Sequence, residues 1–172
     1  MVMTSDTLLS FGVGLAIGLT VRELFSRKKT AKVKLQPPAR VFKLCVESEL
    51  KAFQASGKVE SSLDRADGFI HLSDRTSPKT VASLFFAGAQ DLFILEIDAT
   101  RLNSDIQWLV GVMGEDPPSA KDLSEASTPV HYLIANGCVH VYGSSGVSMS
   151  IVTQVSKVPL GSDGKHVFPV WL

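Results

Sequence analysis

Two short apolar stretches hold the residues best suited to chemistry: "DGFIHLS" (Asp67–Ser73) and "GCVHVYG" (Gly137–Gly143). A strand alternates its side chains, so Phe69, His71 and Ser73 share one face, and Cys138, His140 and Tyr142 share another. Each strand therefore presents a histidine with a hydroxyl two residues on. If both faces meet in one cleft, His71 and His140 are candidate acid–base groups near neutral pH. Phe69, Ser73 and Tyr142 would then supply stacking and hydrogen bonds to a ligand. The competing reading is that each histidine is a core residue satisfied by a neighbour. Spacing alone leaves both readings open.

Other chemistries gain less from the pattern. His71, His140 and Cys138 lack the spacing of a zinc motif, so no metal is expected. A Cys138 nucleophile with a histidine base has no supporting signature. His131, in "HYLIANG", reads as a surface or edge residue. Cys45 and Cys138 form no C-x-x-C pair and are expected to be reduced, mostly buried thiols.

The elements that must position these residues follow from periodicity and punctuation. Val41–Val46 reads as a strand. "SELKAFQASG" reads as a short helix with Ser48 as N-cap, Leu50 and Phe53 on one face and Gly57 as its stop. "TSPKTVASLFFAG" reads as a second helix, with Ser77 as N-cap and Pro78 at its first position. Val81, Leu84 and Phe85 would be its buried face, and Gly88 its end. "DLFILEID" is a buried strand with an acid, Glu96, at an interior position. Residues 111–128 are polar and broken by Pro117-Pro118, as in a loop or lid. Strands resume at "VHYLI", "GCVHVYG", "MSIVTQVSKV" and "HVFPVWL", the last placed at an edge by Pro169. The expected fold class is α+β, with small split antiparallel or mixed sheets and two short helices.

Three segments are expected: a hydrophobic anchor helix over 1–25, a basic and proline-containing linker over 26–39, and a globular domain over 40–172. Residues 7–21, "TLLSFGVGLAIGLTV", carry no charge, and a basic flank runs from Arg22 through Lys34. Residues 7–25 read as a single-pass signal anchor in the mitochondrial outer membrane or endoplasmic reticulum, with a cleaved targeting peptide or a helix packed on protein as the alternatives. The positive-inside rule puts the C-terminal domain in the cytosol. Gly14 and Gly18, spaced by four after Ser10, offer a homodimer contact within such a helix. The chain carries 17 basic and 17 acidic residues, but the part after Arg40 has a net charge of −5. That balance argues against broad nucleic-acid binding.

The pieces "RVFKLCVESELKAFQASG", "DGFIHLS", "FFAGAQDLFILEIDATRL", "QW" and "CVHVYG", in that order, resemble the domain-of-unknown-function 952 (DUF952) family across about Arg40–Leu172. That family is placed with the ADP-ribosyltransferase-like folds, and "FIHLS…LFILEIDATRL" is similar to a segment of the NAD-using RNA 2′-phosphotransferases. The resemblance implies two small sheets around a cleft sized for a nucleotide, with NAD or an ADP-ribose-like ligand. It also implies a transferase or hydrolase acting on such substrates, or a silent nucleotide-binding or protein-interaction module tethered to a membrane. His71 would line the cleft, with His140 and Tyr142 near it. Lys43 falls where the phosphotransferases carry a histidine and would contact phosphate. Arg75 and Arg101 are the arginines nearest the matching pieces.

Overall fold

"RVFKLCV" forms strand β1 (Arg40–Val46), its β-branched and aromatic residues fitting a pleated surface covered on both sides. The computed structural model describes residues 36–102, 105–114, 119, 128–143 and 146–172. Within them the further strands are β2 (Lys58–Val59), β3 (Phe69–Ser73), β4 (Leu92–Asp98), β5 (Ile106–Val110), β6 (Thr128–Leu133), β7 (Cys138–Tyr142), β8 (Val147–Ser148) and β9 (Val152–Lys157). Seven build one sheet in the order β5-β6-β7-β3-β1-β4-β9, and β2 pairs with β8 in a separate ribbon. Only β5 and β6 run parallel among these pairs; the other neighbours are antiparallel.

The α+β class is what the sequence implies, but two small split sheets are not what forms. One large mixed sheet with a short ribbon takes their place. Its growth depends on β5, which the sequence shows only as the fragment "QW", and which adds to β6 in register from Ile106↔Thr128 to Val110↔Tyr132.

The described residues hold three α-helices, not two: α1 (Glu47–Ser56), α2 (Ser62–Asp67) and α3 (Pro78–Phe85). Helix α1 begins two residues earlier than Ser48 suggests. Val46 is its cap residue, and the Val46 N–H donates to the Glu49 carboxylate at 3.1 Å. Gly57, at φ 72°, ends it with an N–H to the Phe53 carbonyl. Helix α2 is only six residues long and hides from periodicity. Helix α3 starts at Pro78 with Ser77 at its N-cap position, as expected, but the Ser77 hydroxyl makes no capping bond and donates instead to the Gly137 carbonyl at 2.8 Å. Its buried side is Ala82, while Leu84 and Phe85 are 67% and 75% exposed. "HVFPVWL" is no strand. Apart from a single antiparallel bridge between His166 and Leu160 it runs as turn and coil, and Phe168, Trp171 and Leu172 pack against one apolar cluster.

The alternation of the strands gives the sheet two apolar faces. Val41, Cys45, Ile70, Leu72, Leu95, Val139 and Val141 face a core closed by Leu50 and Phe53 of α1. Phe42, Leu44, Leu92 and Ile94 face a smaller cluster closed by Ala82 of α3. His71 and His140 alternate onto the face opposite Ile70 and Val139.

The membrane anchor needs correction. No helix among the described residues is long and apolar enough to cross a membrane. Residues 1–25, with the span 7–25 and the Gly14/Gly18 contact, lie outside the described residues, as does most of the linker. The single-pass membrane placement therefore has no structural basis.

Candidate functional site

Strand β1 pairs with β4 at seven successive positions, Arg40↔Asp98 to Val46↔Leu92. Along its other edge its register with β3 is the single pair Phe42↔Ser73. Beyond that pair the seam is bridged by a side chain. The His71 backbone N–H donates to Asp64 Oδ1 at 2.9 Å, in place of a strand carbonyl.

Asp64 reaches the seam because α2 is short and tightly capped. The Ser61 hydroxyl accepts from the Asp64 N–H at 3.1 Å, and Asp64 Oδ2 accepts from the Ser61 N–H at 2.7 Å. Gly68, at φ 78°, then turns the chain straight into β3. The Asp64 side chain is fully buried and gathers charged donors. Lys43 Nζ donates to both its oxygens, at 2.8 and 2.7 Å, and His71 Nδ1 lies 2.8 Å from Oδ1. Burial pushes the Asp64 pKa up, but the hydrogen bond from His71 and the Lys43 charge outweigh it and hold the carboxyl well below the usual range. An ionised carboxylate can only accept, so Nδ1 of His71 carries a hydrogen and Nε2 is its working nitrogen. Nε2 lies 3.2 Å from the half-exposed carboxylate of Asp67.

Across the strand pair, His71 stands in direct register with His140, and His140 with His131. Three imidazoles thus form a row over β3, β7 and β6. Burial first, then the His71 and His131 charges, push the His140 pKa down to about 4, so this ring is neutral at pH 7. His131 is buried, not a surface residue as the sequence suggests. Gly111 lies so close to its ring that a β-carbon there would collide with Nε2.

Phe69 joins the row to an aromatic patch. Its ring centroid is 4.4 Å from His71, 4.3 Å from His140 in a stacked arrangement, and 5.1 Å from Tyr142. The His71 and His140 rings meet edge-on at 5.5 Å. Phe69, His71, His140 and Tyr142 are all half-buried, forming a wall with one side open.

Four of the residues marked in the sequence thus come together. Ser73 lies in register between Phe42 and Cys138, and is buried. Lys43 is no free phosphate ligand, because its ammonium is committed to Asp64. Arg75 is absent from the wall; its guanidinium donates to the Trp171 carbonyl at 3.3 Å and lines a separate cavity. The thiols are poor nucleophiles. Burial raises the Cys45 pKa to about 12, and burial and the Asp74 charge raise that of Cys138. Among the described residues no cluster of histidine, cysteine and acidic side chains could hold a metal ion.

Asp64, Asp67 and the burial of His131 escaped the sequence reading. For Asp64 a signal was available: Ser61-x-x-Asp64 is a capping-box pattern leading into an apolar strand.

The spacing of these elements has a family counterpart. The model of the DUF952 family, described as protein of unknown function, matches residues 44–155. The chain belongs to the DUF952 family. The match runs from β1 into β9 and so takes in Asp64, His71, His131, His140 and Tyr142 of this DUF952 domain. The crystal structure of protein CC0527 from Caulobacter crescentus is similar over 74% of this chain and 93% of its own, at 26% identity and a TM-score of 0.53. A double mutant of that protein gives the same figures. Among the curated proteins, none matches. Neither the family description nor the Caulobacter protein's name states any activity or ligand, so these relatives lend no support to the expectation of an ADP-ribosyltransferase-like, nucleotide-binding protein. The wall itself argues against it. The side chains that β3, β7, β6 and β5 place on the histidine face include no lysine or arginine to meet a diphosphate.

Proposed function

We propose that the His71–His140 wall is an acid–base site, and that the protein is a hydrolase or transferase acting on a small, planar, uncharged substrate. The observation that carries this reading is the chain Lys43–Asp64–His71. A buried carboxylate, held ionised by the His71 hydrogen bond and a buried ammonium, fixes one nitrogen of a half-exposed imidazole and turns the other toward the partly exposed Asp67 carboxylate at the protein surface. Such an arrangement is how a general base is oriented. Asp67 serves the same ring from outside, accepting a hydrogen bond whenever Nε2 holds the proton. Neutral His140 supplies one donor and one acceptor beside it. Phe69 and Tyr142 offer ring surface on which a planar substrate stacks.

The test compares the full chain with His71→Ala on uncharged esters, lactones and N-glycosides, following turnover and the imidazole resonances by NMR. Turnover that falls by roughly a hundredfold or more in the variant, the scale of a lost acid–base group, supports the reading. Turnover unchanged in His71→Ala sinks it, as does a panel that yields no turnover and moves neither imidazole. Shifted resonances without turnover would establish a binding module instead.

A further inference from the structure

We propose that a second site, separate from the histidine wall, binds a small aromatic oxyanion. It is the cavity of about 480 Å³ between the start of β1, the chain after β3 and the C-terminal segment. That volume falls within the range of small-molecule sites.

The hydrogen bonds already made in this cavity show what it can still recognise. Its two buried acids are spent. Glu96 Oε1 accepts from the Thr153 hydroxyl at 2.7 Å, and Oε2 from Arg40 at 3.3 Å. Asp74 Oδ1 accepts from the Thr76 N–H and hydroxyl at 2.7 and 2.6 Å, and Oδ2 from the Tyr132 hydroxyl at 2.7 Å. Burial and the Asp74 bond push the Tyr132 pKa up to about 12, so that hydroxyl keeps its proton. The donors are not spent. A guanidinium carries five N–H groups. Arg40 uses one on Glu96, and Arg75 uses one on the Trp171 carbonyl.

Two arginines with unspent, fork-shaped donors at one cavity select an oxyanion that can take two parallel N–H bonds, a carboxylate or a phosphate. The apolar wall selects the rest of the ligand. Trp171 stacks on Phe42, with centroids 6.2 Å apart and planes 19° apart, leaving an indole beside the arginines. A carboxylate or phosphate on the arginines would place an attached aromatic ring against that indole.

Calorimetry on the full chain tests this with 1-naphthoate, 1-naphthyl phosphate and the neutral 1-naphthamide. The expected result is that one or both anions bind at least roughly tenfold more tightly than the amide. Arg75→Met and Arg40→Met should each remove that preference, and Arg75→Lys should keep part of it. The tighter of the two anions identifies the headgroup. His71→Ala should leave the affinities unchanged, so failure of the acid–base reading does not affect this one. Equal binding of anion and amide overturns the proposal, as does no binding at roughly millimolar concentration. A preference that survives both methionine variants, each melting like the parent, overturns it too.

Discussion

The two edges of β1 solve the same problem in different ways. Toward β4 the ladder is complete, and the buried acid on that side, Glu96, is met by an exposed arginine and a threonine. Toward β3 the ladder stops after one pair, and the buried acid there, Asp64, stands in for backbone and holds a lysine and a histidine. A backbone ladder satisfies polar groups without presenting any. Where it ends, side chains must take over, and they can be reactive ones. The paired seam is scaffold, and the broken seam is where an imidazole is held by one nitrogen, with the other turned toward the partly exposed Asp67 carboxylate.

The largest test of this contrast is Asp64→Ala. It strands the Lys43 ammonium and the Ser61 and His71 N–H groups, so chemical denaturation should show a loss of roughly 3–5 kcal/mol. Acid should act through the same group. Its folded pKa lies below the ordinary 3.8, so its stabilisation is present above that value and is lost as pH falls below it. Next is Gly111→Ala, which drives a methyl into the His131 ring and should cost roughly 2–3 kcal/mol. An unchanged melting temperature would show that β6 yields there.

A smaller effect comes from His140. Its pKa is about 4 in the folded chain against 6.5 for a free imidazole. The unfolded chain takes up the proton first, so stability should decline as pH falls from about 6.5 to 4, by roughly 2 kcal/mol after solvent screening. His140→Gln should flatten that part of the pH–stability curve, and an unaltered slope would assign the decline to other groups. The smallest effect belongs to the complete seam. Arg40 is 62% exposed at its side chain, so Arg40→Ala should cost less than about 1 kcal/mol. A loss matching that of Asp64→Ala would erase the distinction between the two edges.

Strand alternation made much of the wall legible in advance. It put His71 with Phe69 and His140 with Tyr142, and the register then brought both pairs together. The partners of His71 were harder to read. Asp64 acts through a six-residue helix too short to show a period, and its role depends on a register break that no local pattern encodes. Lys43 was misjudged for the same reason: a lysine in an apolar strand looks available until its buried counter-ion is known. His131 looked peripheral because β5, which covers β6 from outside, left almost no trace in the sequence. The α3 surface failed differently. Val81, Leu84 and Phe85 fit a buried helical face by spacing, but only Val81 of the three packs against the core, beside buried Ala82.

The two halves of the wall also differ in when they can come into being. Asp64 and His71 are seven residues apart, and a capping box and a glycine turn lie next to or between them, so that half can form early from local contacts. Lys43 joins from 21 residues upstream. His140 arrives only after β4, β5 and β6 have emerged, and loop closure must then seat β7 beside β3. Until that happens, a chain leaving the ribosome carries an oriented His71 without its neighbour, and the N–H and C=O groups of β3 that later meet β7 stand unpaired. The step that completes the wall is therefore also the step that removes an aggregation-prone edge.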